Sequence, residues 1–123
     1  MENIFSSERS FKTWQYSVSH RRLLIRSVRE AHAEHGTRID ILFSGVTHLC
    51  VKPVYEGLVI RKGNQEEVVR LSEFLDIQVD QRELYLLGHG LSSFVISGAP
   101  PQWREDERYS DEPSRLGFLP GTP

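Results

Sequence analysis

The alternation of apolar and polar residues along the chain predicts a protein built mostly from β-strands. Between Phe11 and Val18, aromatic and apolar positions alternate with polar ones, which is the period of a half-buried strand. A short apolar run, Leu23 to Ile25, follows a polar segment centred on His20. Residues 12–28 therefore predict a β-hairpin with its turn near that histidine.

The longest apolar stretch of β type covers residues 38–52, with the sequence RIDILFSGVTHLCVK. On an extended strand, Ile39, Ile41 and Phe43 share one face. Gly45 then interrupts the pattern, and a glycine inside a strand usually marks a bulge or a tight bend. One long bulged strand and two short strands meeting at Gly45 both fit, and in either case we expect the sheet to curve there.

Three further segments complete the predicted sheet. Residues 58–60 read as a short strand, and residues 84–87 and 94–96 flank a glycine-containing tip, which predicts a second hairpin. Residues 65–75 are ambiguous, because their apolar positions have helical spacing but include a β-branched valine pair. For this segment we favour a strand at about 66–71 followed by a short turn of helix.

Composition divides the chain into three parts. We expect an N-terminal arm at 1–10, one antiparallel β domain at 11–98, and a Pro-rich, acidic, disordered tail at 99–123, which holds five of the six prolines. The predicted fold class is mostly β, or β-rich α+β. It is a single bent antiparallel sheet or a partly open β-barrel of six to seven short strands, with at most one short helix.

Charge and cysteine content limit which partners and which cellular compartment we expect. The net charge is −2, and residues 1–98 carry twelve basic and twelve acidic side chains. Nucleic-acid binding normally needs a clear excess of Lys and Arg, so we expect no nucleic-acid partner. The sequence shows neither a signal peptide nor a long apolar run, and the single Cys50 fits a reducing compartment. We therefore expect a cytoplasmic protein without membrane association.

The strongest pattern for metal chemistry is the histidine pair His32 and His35, with Glu34 between them. Two imidazoles and a carboxylate could coordinate a metal if this segment were helical, but the spacing differs from the metalloprotease signature. We favour a solvated polar loop and expect neither a metal nor another cofactor. The sequence also lacks a glycine-rich phosphate loop and a pair of catalytic carboxylates, so we expect no enzyme.

Two pairs of strand residues have both a functional and a structural interpretation. His48 and Cys50 would share a strand face, where the imidazole could activate the thiol; the alternative, which we favour, is that Cys50 is a small buried apolar residue. Trp14 and Tyr16 could form an aromatic platform for a ligand. Because both stand in register with Val18 on the apparent core face, a core role is favoured.

Four residues are candidates for binding a partner: Arg22, Arg26, Trp103 and Tyr109. Arg22 and Arg26 share one face of an extended strand and could receive an acidic protein, although a solvated face with cross-strand ion pairs is the favoured alternative. Trp103 is an indole in an otherwise polar segment. It is either a latch onto the domain or an anchor for a partner, and Tyr109 has the same two possibilities.

Residues 39–51, IDILFSGVTHLCV, resemble a pattern of small bacterial immunity-type and uncharacterised β domains: an apolar strand, Phe, two small residues, Val, two polar residues and Leu. The resemblance implies a protein that binds and neutralises a partner without chemistry, through an exposed sheet face or edge. We therefore expect a non-enzymatic protein–protein binding module. A small-ligand site between the sheet faces is the alternative, and a hydrolase-type or metal-dependent enzyme comes third. A homodimer through an exposed strand edge stays open.

Overall fold

The computed structural model describes residues 3–28, 36–109 and 112–116, and within them the strands form one antiparallel sheet. The strands are β1 (Asn3–Ser17), β2 (Arg22–Ser27), β3 (Arg38–Ser44), β4 (Val46–Cys50), β5 (Val54–Lys62), β6 (Leu84–Leu87), β7 (Phe94–Ser97) and β8 (Gln102–Asp106). Helix α1 (Gln65–Leu75) and a 3₁₀ turn (Gln81–Glu83) lie between β5 and β6. The strand order is β4-β7-β6-β5-β1-β2-β3-β8. The predicted antiparallel β class is confirmed, with eight strands instead of six or seven.

A bend at Gly45 separates β3 from β4, as the sequence predicts. Gly45 has φ of +71° and its carbonyl accepts a hydrogen bond from the Gly98 amide at 3.0 Å. The Ala99 amide donates to the Ser44 carbonyl at 3.2 Å. Because these bonds join the β3–β4 bend to the segment between β7 and β8, the two connections change direction side by side. The sheet thus folds back on itself.

The main core lies between the two halves of the folded sheet. Ile39, Ile41 and Phe43 point into it from β3, as their alternation predicts. Its other buried members are Phe11, Leu23, Ile25, Val46, Tyr55, Leu58, Ile60, Tyr85, Leu87 and Val95. Strands from both halves of the sheet therefore contribute to one shared core.

Helix α1 covers the outer face of β6 and β7, where its Val68 and Leu71 pack in a second apolar cluster. The preferred prediction of a strand at 66–71 is wrong. A capping box starts the helix: the Asn64 side chain accepts from the Glu67 amide at 2.8 Å, and the Glu67 carboxylate accepts from the Asn64 amide at 2.9 Å. This reciprocal pair satisfies two amides that a helix start otherwise leaves unbonded, which outweighs the strand preference of the valines.

The sheet extends beyond both predicted borders of the β domain. β1 begins at Asn3, inside the expected arm, and β8 at Gln102–Asp106 lies inside the expected disordered tail. Both segments are polar, but they pair through backbone groups, with β5 and β3 respectively. The polarity of their side chains therefore gave no indication of these two strand segments. Residues 110–111 and 117–123 of the tail lie outside the described residues.

A bulge in β1 changes which side chains share a face. The pairing of β1 with β2 shifts register between Thr13 and Gln15. Trp14 consequently packs on the outer face, whereas Tyr16 packs against the main core and Val18 is exposed in the turn. The expectation that these three residues share the core face is wrong, because a bulge interrupts the two-residue period.

Candidate functional site

An apolar groove of about 530 Å³ opens between α1 and the outer face of β4 and β7. It is lined by Cys50, Arg70, Leu71, Phe74, Leu91, Ser92 and Phe94. The lining is mostly aliphatic and aromatic, and Arg70 supplies its charged group. We call this feature the Phe74 groove.

Phe74 distinguishes this groove from the rest of the surface, because 82% of the residue is exposed. It lies three residues after the buried Leu71, on the flank of α1 that faces the groove. An exposed aromatic side chain continuous with an apolar depression is typical of an interaction surface. The helical spacing of the segment could have indicated this flank, had the capping box been recognised.

Strand β4 borders the same groove through Cys50 and stands at one end of the strand order. Residues 47–50 are all exposed. Since β4 pairs with β7 on one side, its other edge presents backbone groups to which no strand pairing is assigned in the described part of the chain. Exposed edges of this kind are common sites of strand addition by a partner.

The structure assigns different hydrogen-bond partners to His48 and Cys50. The Cys50 thiol donates to the Ser92 carbonyl at 3.5 Å, while Nδ1 of His48 lies 3.1 Å from the Thr47 hydroxyl. Cys50 is also exposed. The favoured interpretation of Cys50 as a buried apolar residue is therefore wrong, and the thiol's hydrogen bond goes to a carbonyl instead of an imidazole.

Arg26, one of the predicted partner-binding residues, is fully buried. Its Nε and Nη2 donate to the two Asp40 carboxylate oxygens at 2.7 and 3.1 Å, and the guanidinium lies 4.9 Å from the centre of the Trp14 ring. Arg22 lies half-buried opposite Ser44. The expected cross-strand ion pair exists, but the face around Arg26 is not solvated, because the ring of Trp14 lies over its guanidinium.

A segment that we call the C-terminal strap, defined as residues 107–109 and 112–116, docks on the same outer face of β2 and β3. Arg38 of β3 holds it in place. Its Nη1 donates to the carbonyls of Tyr109 at 3.0 Å and Glu112 at 2.6 Å, and its Nη2 to the Pro113 carbonyl at 3.1 Å and the Asp106 carboxylate at 3.2 Å. One buried guanidinium thus binds three carbonyls of the strap and the Asp106 carboxylate at the end of β8.

Apolar contacts complete the docking of the strap. Leu116 packs against Leu24 and Leu42, which are paired on the outer face of β2 and β3, together with Trp14. The sequence analysis missed this site. The signal that could have found it is the alternation of Arg38 and Asp40 with isoleucines, which places two charged residues on one face of a largely apolar strand.

The two aromatic candidates of the predicted tail have different surroundings. Trp103 lies on β8, partly exposed, with its ring 5.4 Å from that of Phe5 in an edge-to-face arrangement. This contact fits the latch interpretation of Trp103. Tyr109 contributes its backbone carbonyl to Arg38, and its side chain is exposed.

An ion pair fixes α1, and with it the Phe74 groove, to the sheet. Two nitrogens of Arg61 on β5 donate to the Glu67 carboxylate at 2.9 and 2.8 Å, and further bonds reach the carbonyls of Gly88 and His89. The hydrogen bonds from Arg61 hold the pKa of Glu67 below its usual value, although burial acts in the opposite direction. Helix α1, which forms one wall of the groove, is therefore tied to β5 by this ion pair.

The histidine pair that was considered for metal binding cannot be placed, since His32 and His35 lie outside the described residues. Among the residues that are described, no three His, Cys, Asp or Glu side chains gather as metal ligands would. A membrane-spanning helix, which would have to be longer and more apolar than α1, is likewise not found in this part of the chain.

Comparison with known proteins returns no relative. No protein-family model, curated protein or solved structure matches this chain. The resemblance of residues 39–51 to immunity-type domains therefore stays a prediction from sequence.

Proposed function

We propose that the chain is a non-enzymatic protein-binding module that takes an apolar segment of a partner protein into the Phe74 groove. The observation that carries the proposal is the exposed Phe74 ring on the rim of an apolar groove of about 530 Å³. Full burial of a phenylalanine side chain stabilises a complex by about 1.5–3 kcal/mol. Aromatic anchors of this kind dominate the energy of many protein interfaces.

Charge indicates the chemistry of the partner. The side chain of Arg70 on the groove is 66% exposed, and its contact with Glu66 is a loose one of 3.9 Å. Residues 41–55, which include β4, contain no acidic side chain but carry Lys52. A partner segment that places a carboxylate beside its apolar anchor would complement this surface.

The edge of β4 supports the same proposal, because an extended partner segment could pair with it while its side chains reach the groove. The neutralising, immunity-type role implied by the sequence resemblance is one form of this function. It adds the expectation that binding blocks an activity of the partner.

A second candidate function is the binding of a small apolar ligand. The groove volume of about 530 Å³ favours it, since ligand pockets commonly measure about 300–1,000 Å³. The groove's position against the exposed β4 favours the protein partner.

Photo-crosslinking tests the proposal. A photoreactive phenylalanine analogue at position 74 should capture a partner in cells, whereas the same analogue at position 69, on another flank of α1, should not. The captured protein is then purified and titrated calorimetrically against the wild-type chain and the Phe74→Ser and Val69→Ser variants. Loss of about 2 kcal/mol corresponds to an affinity roughly 30-fold weaker for Phe74→Ser. Val69→Ser should bind as the wild type does.

Three results would overturn the proposal. One is equal affinity of the purified partner for Phe74→Ser and wild type. Another is a dimer in sedimentation equilibrium that Phe74→Ser dissociates, which would assign the groove to a second copy. The third is saturable binding of a fatty-acid probe, lost in Phe74→Ser, with no protein captured at position 74.

A further inference from the structure

We propose that a cleft beside the bulge between β1 and β5 is a second binding site, which takes an ammonium or guanidinium group carried on an apolar stem. The cleft has a volume of about 390 Å³. We call it the Gly57 cleft, and it shares no lining residue with the Phe74 groove. The proposal therefore does not depend on the function assigned to that groove. The lining consists of Ser6, Ser7, Glu8, Tyr55, Glu56, Gly57, Leu58, Val59, Leu87, Gly88 and His89.

The fold creates this cleft where two strand pairings are interrupted. The register of β1 against β5 shifts between Ser7 and Ser10, so two residues of β1 stand opposite Gly57 alone. Gly57 has φ of +83°, a left-handed conformation that glycine adopts readily. On the other side of β5, the assigned pairing with β6 begins at Ile60. A bulge bends the strand that carries it, and the end of β6 leaves room beside the bend.

The two carboxylates that line the cleft make it negative. Glu8 of β1 and Glu56 of β5 are both exposed. Neither of them forms an ion pair with a described residue. No Lys or Arg is among the described residues that line the cleft. Two carboxylates at one concave surface attract a cation, because their potentials add.

Two arginines adjoin the cleft, and each is paired with a carboxylate outside it. Arg9 lies 3.4 Å from Glu105 of β8. Arg61, which donates a hydrogen bond to the carbonyl of His89, lies 2.8 Å from Glu67 of α1. Neither guanidinium is therefore left over to neutralise the two glutamates of the cleft.

The buried part of the lining is apolar, which favours an organic cation. Leu58 and Leu87 are buried members of the main core, and Tyr55 adds an aromatic side chain. An aliphatic stem gains from contact with such a surface, and an aromatic ring attracts a cation. A metal ion would need more ligands, and no three His, Cys, Asp or Glu side chains gather for one in the described part of the chain.

The size of the cleft suits a short stem. Its volume of about 390 Å³ lies near the lower end of the range of ligand sites, about 300–1,000 Å³. A free alkylamine presents a cation on such a stem, and so does a Lys or Arg side chain of a partner protein. The cleft recognises the chemistry that these two sources share.

Titration of the full-length chain with n-hexylamine, followed by two-dimensional amide NMR spectroscopy, tests the proposal. We expect saturable shifts at the amides of Gly57 and Gly88. The controls n-hexanol, which lacks the charge, and hexanoate, which reverses it, should bind about tenfold more weakly or not at all; tenfold corresponds to the loss of one charged hydrogen bond. Nα-acetyl-lysine methylamide identifies the source. Tighter binding than n-hexylamine assigns the cleft to a protein side chain, and weaker binding assigns it to a free amine.

Variants of the chain test the carboxylates and the shape of the cleft separately. Glu8→Gln combined with Glu56→Gln keeps the size of both side chains and should weaken n-hexylamine binding about tenfold. The matched control is Glu73→Gln, because Glu73 is an exposed glutamate of α1 outside the cleft. This control should bind as the wild type does. Ser6→Trp leaves both charges in place but fills the cleft, so it should also abolish the shifts. The spectra themselves show whether each variant is folded.

The proposal is wrong if n-hexanol binds as tightly as n-hexylamine, or if the folded double glutamine variant keeps its full affinity. An equal loss of affinity in Glu73→Gln would also overturn it, because the amine would then respond to the net charge of the protein and not to a site. Saturable shifts confined to the residues of the Phe74 groove would place the amine there and refute the proposal as well.

Discussion

Replacement of Asp40 by asparagine should strongly destabilise the protein while preserving the volume of the side chain. Asp40 is buried, and its two oxygens accept hydrogen bonds from Arg26 at 2.7 and 3.1 Å. The second oxygen also lies 3.6 Å from Arg38. Asparagine removes the negative charge and turns an amide donor towards guanidinium donors, so both arginines lose an anion that burial makes necessary.

The magnitude follows from the burial of the pair. Removing one partner of a buried ion pair costs about 3–5 kcal/mol, because the other charge stays desolvated. For a chain of this size, each kcal/mol lowers the midpoint of thermal unfolding by about 3–5 °C. We therefore expect Asp40→Asn to unfold about 10–20 °C below the wild type. Domains of this size usually have a stability of about 5–15 kcal/mol, so the variant should still fold at low temperature.

Thermal and urea unfolding, followed by circular dichroism, measure this difference. The matched control is Asp80→Asn, because Asp80 bonds Arg82 at 2.9 Å in a similar pair whose arginine is 89% exposed. This variant should melt with the wild type, since exposed ion pairs contribute little. A melting midpoint of Asp40→Asn within 2 °C of the wild type and of Asp80→Asn would refute the argument that burial makes this ion pair important. The threshold is less than the shift of about 3–5 °C expected for 1 kcal/mol.

Three further changes test other parts of the fold. Gly45→Ala should lower the free energy of unfolding in urea by about 1–3 kcal/mol, because the φ of Gly45 is +71° and a Cβ would lie 3.3 Å from a backbone nitrogen. Gly90→Ala, where a Cβ would have nothing within 4 Å, should lower it by less than about 0.5 kcal/mol. Glu67→Gln should lower the free energy of unfolding by about 1–2 kcal/mol at pH 7. Because the pKa of Glu67 is lower in the folded state, its carboxylate contributes fully to the free energy of unfolding above the unfolded pKa of about 4.3, and this contribution is lost as the pH falls through the folded pKa. The urea midpoints of the wild type and Glu67→Gln should therefore converge in acid. Deleting residues 107–123 should lower the free energy of unfolding by about 2–4 kcal/mol, because Arg38 loses its hydrogen bonds to three carbonyls. Deleting residues 117–123 keeps every described contact and should change the urea midpoint little.

Where apolar side chains alternate, the sequence was sufficient to predict the strands. β2, β3, β6 and β7 appear as predicted, and the break at Gly45 is confirmed. Polar strands were missed because β8 and the first half of β1 pair through backbone groups that the side-chain pattern does not report. The helix α1 was missed because strand propensity was given more weight than the capping pair before it.

The surfaces were harder to predict than the strands. The sequence predicted a solvated Arg26 because its buried partners, Asp40 of β3 and the Trp14 ring of β1, come from other strands, and local periodicity carries no information about such contacts. The exposure of Phe74 depends on how far α1 extends over the sheet, which is a property of the assembled tertiary structure. Candidate residues chosen by local pattern alone therefore included a buried arginine and omitted Phe74, the most exposed phenylalanine among the described residues.

The pairing of β3 with β8 has a consequence for the newborn chain. β3 ends at Ser44, but its partner strand is complete only at Asp106. During synthesis, β3 therefore presents an open edge until Asp106 has left the ribosome tunnel. Contacts between such distant segments also slow folding. The native sheet should consequently be completed only after Asp106 has emerged, and until then the open edge of β3 can pair with other chains.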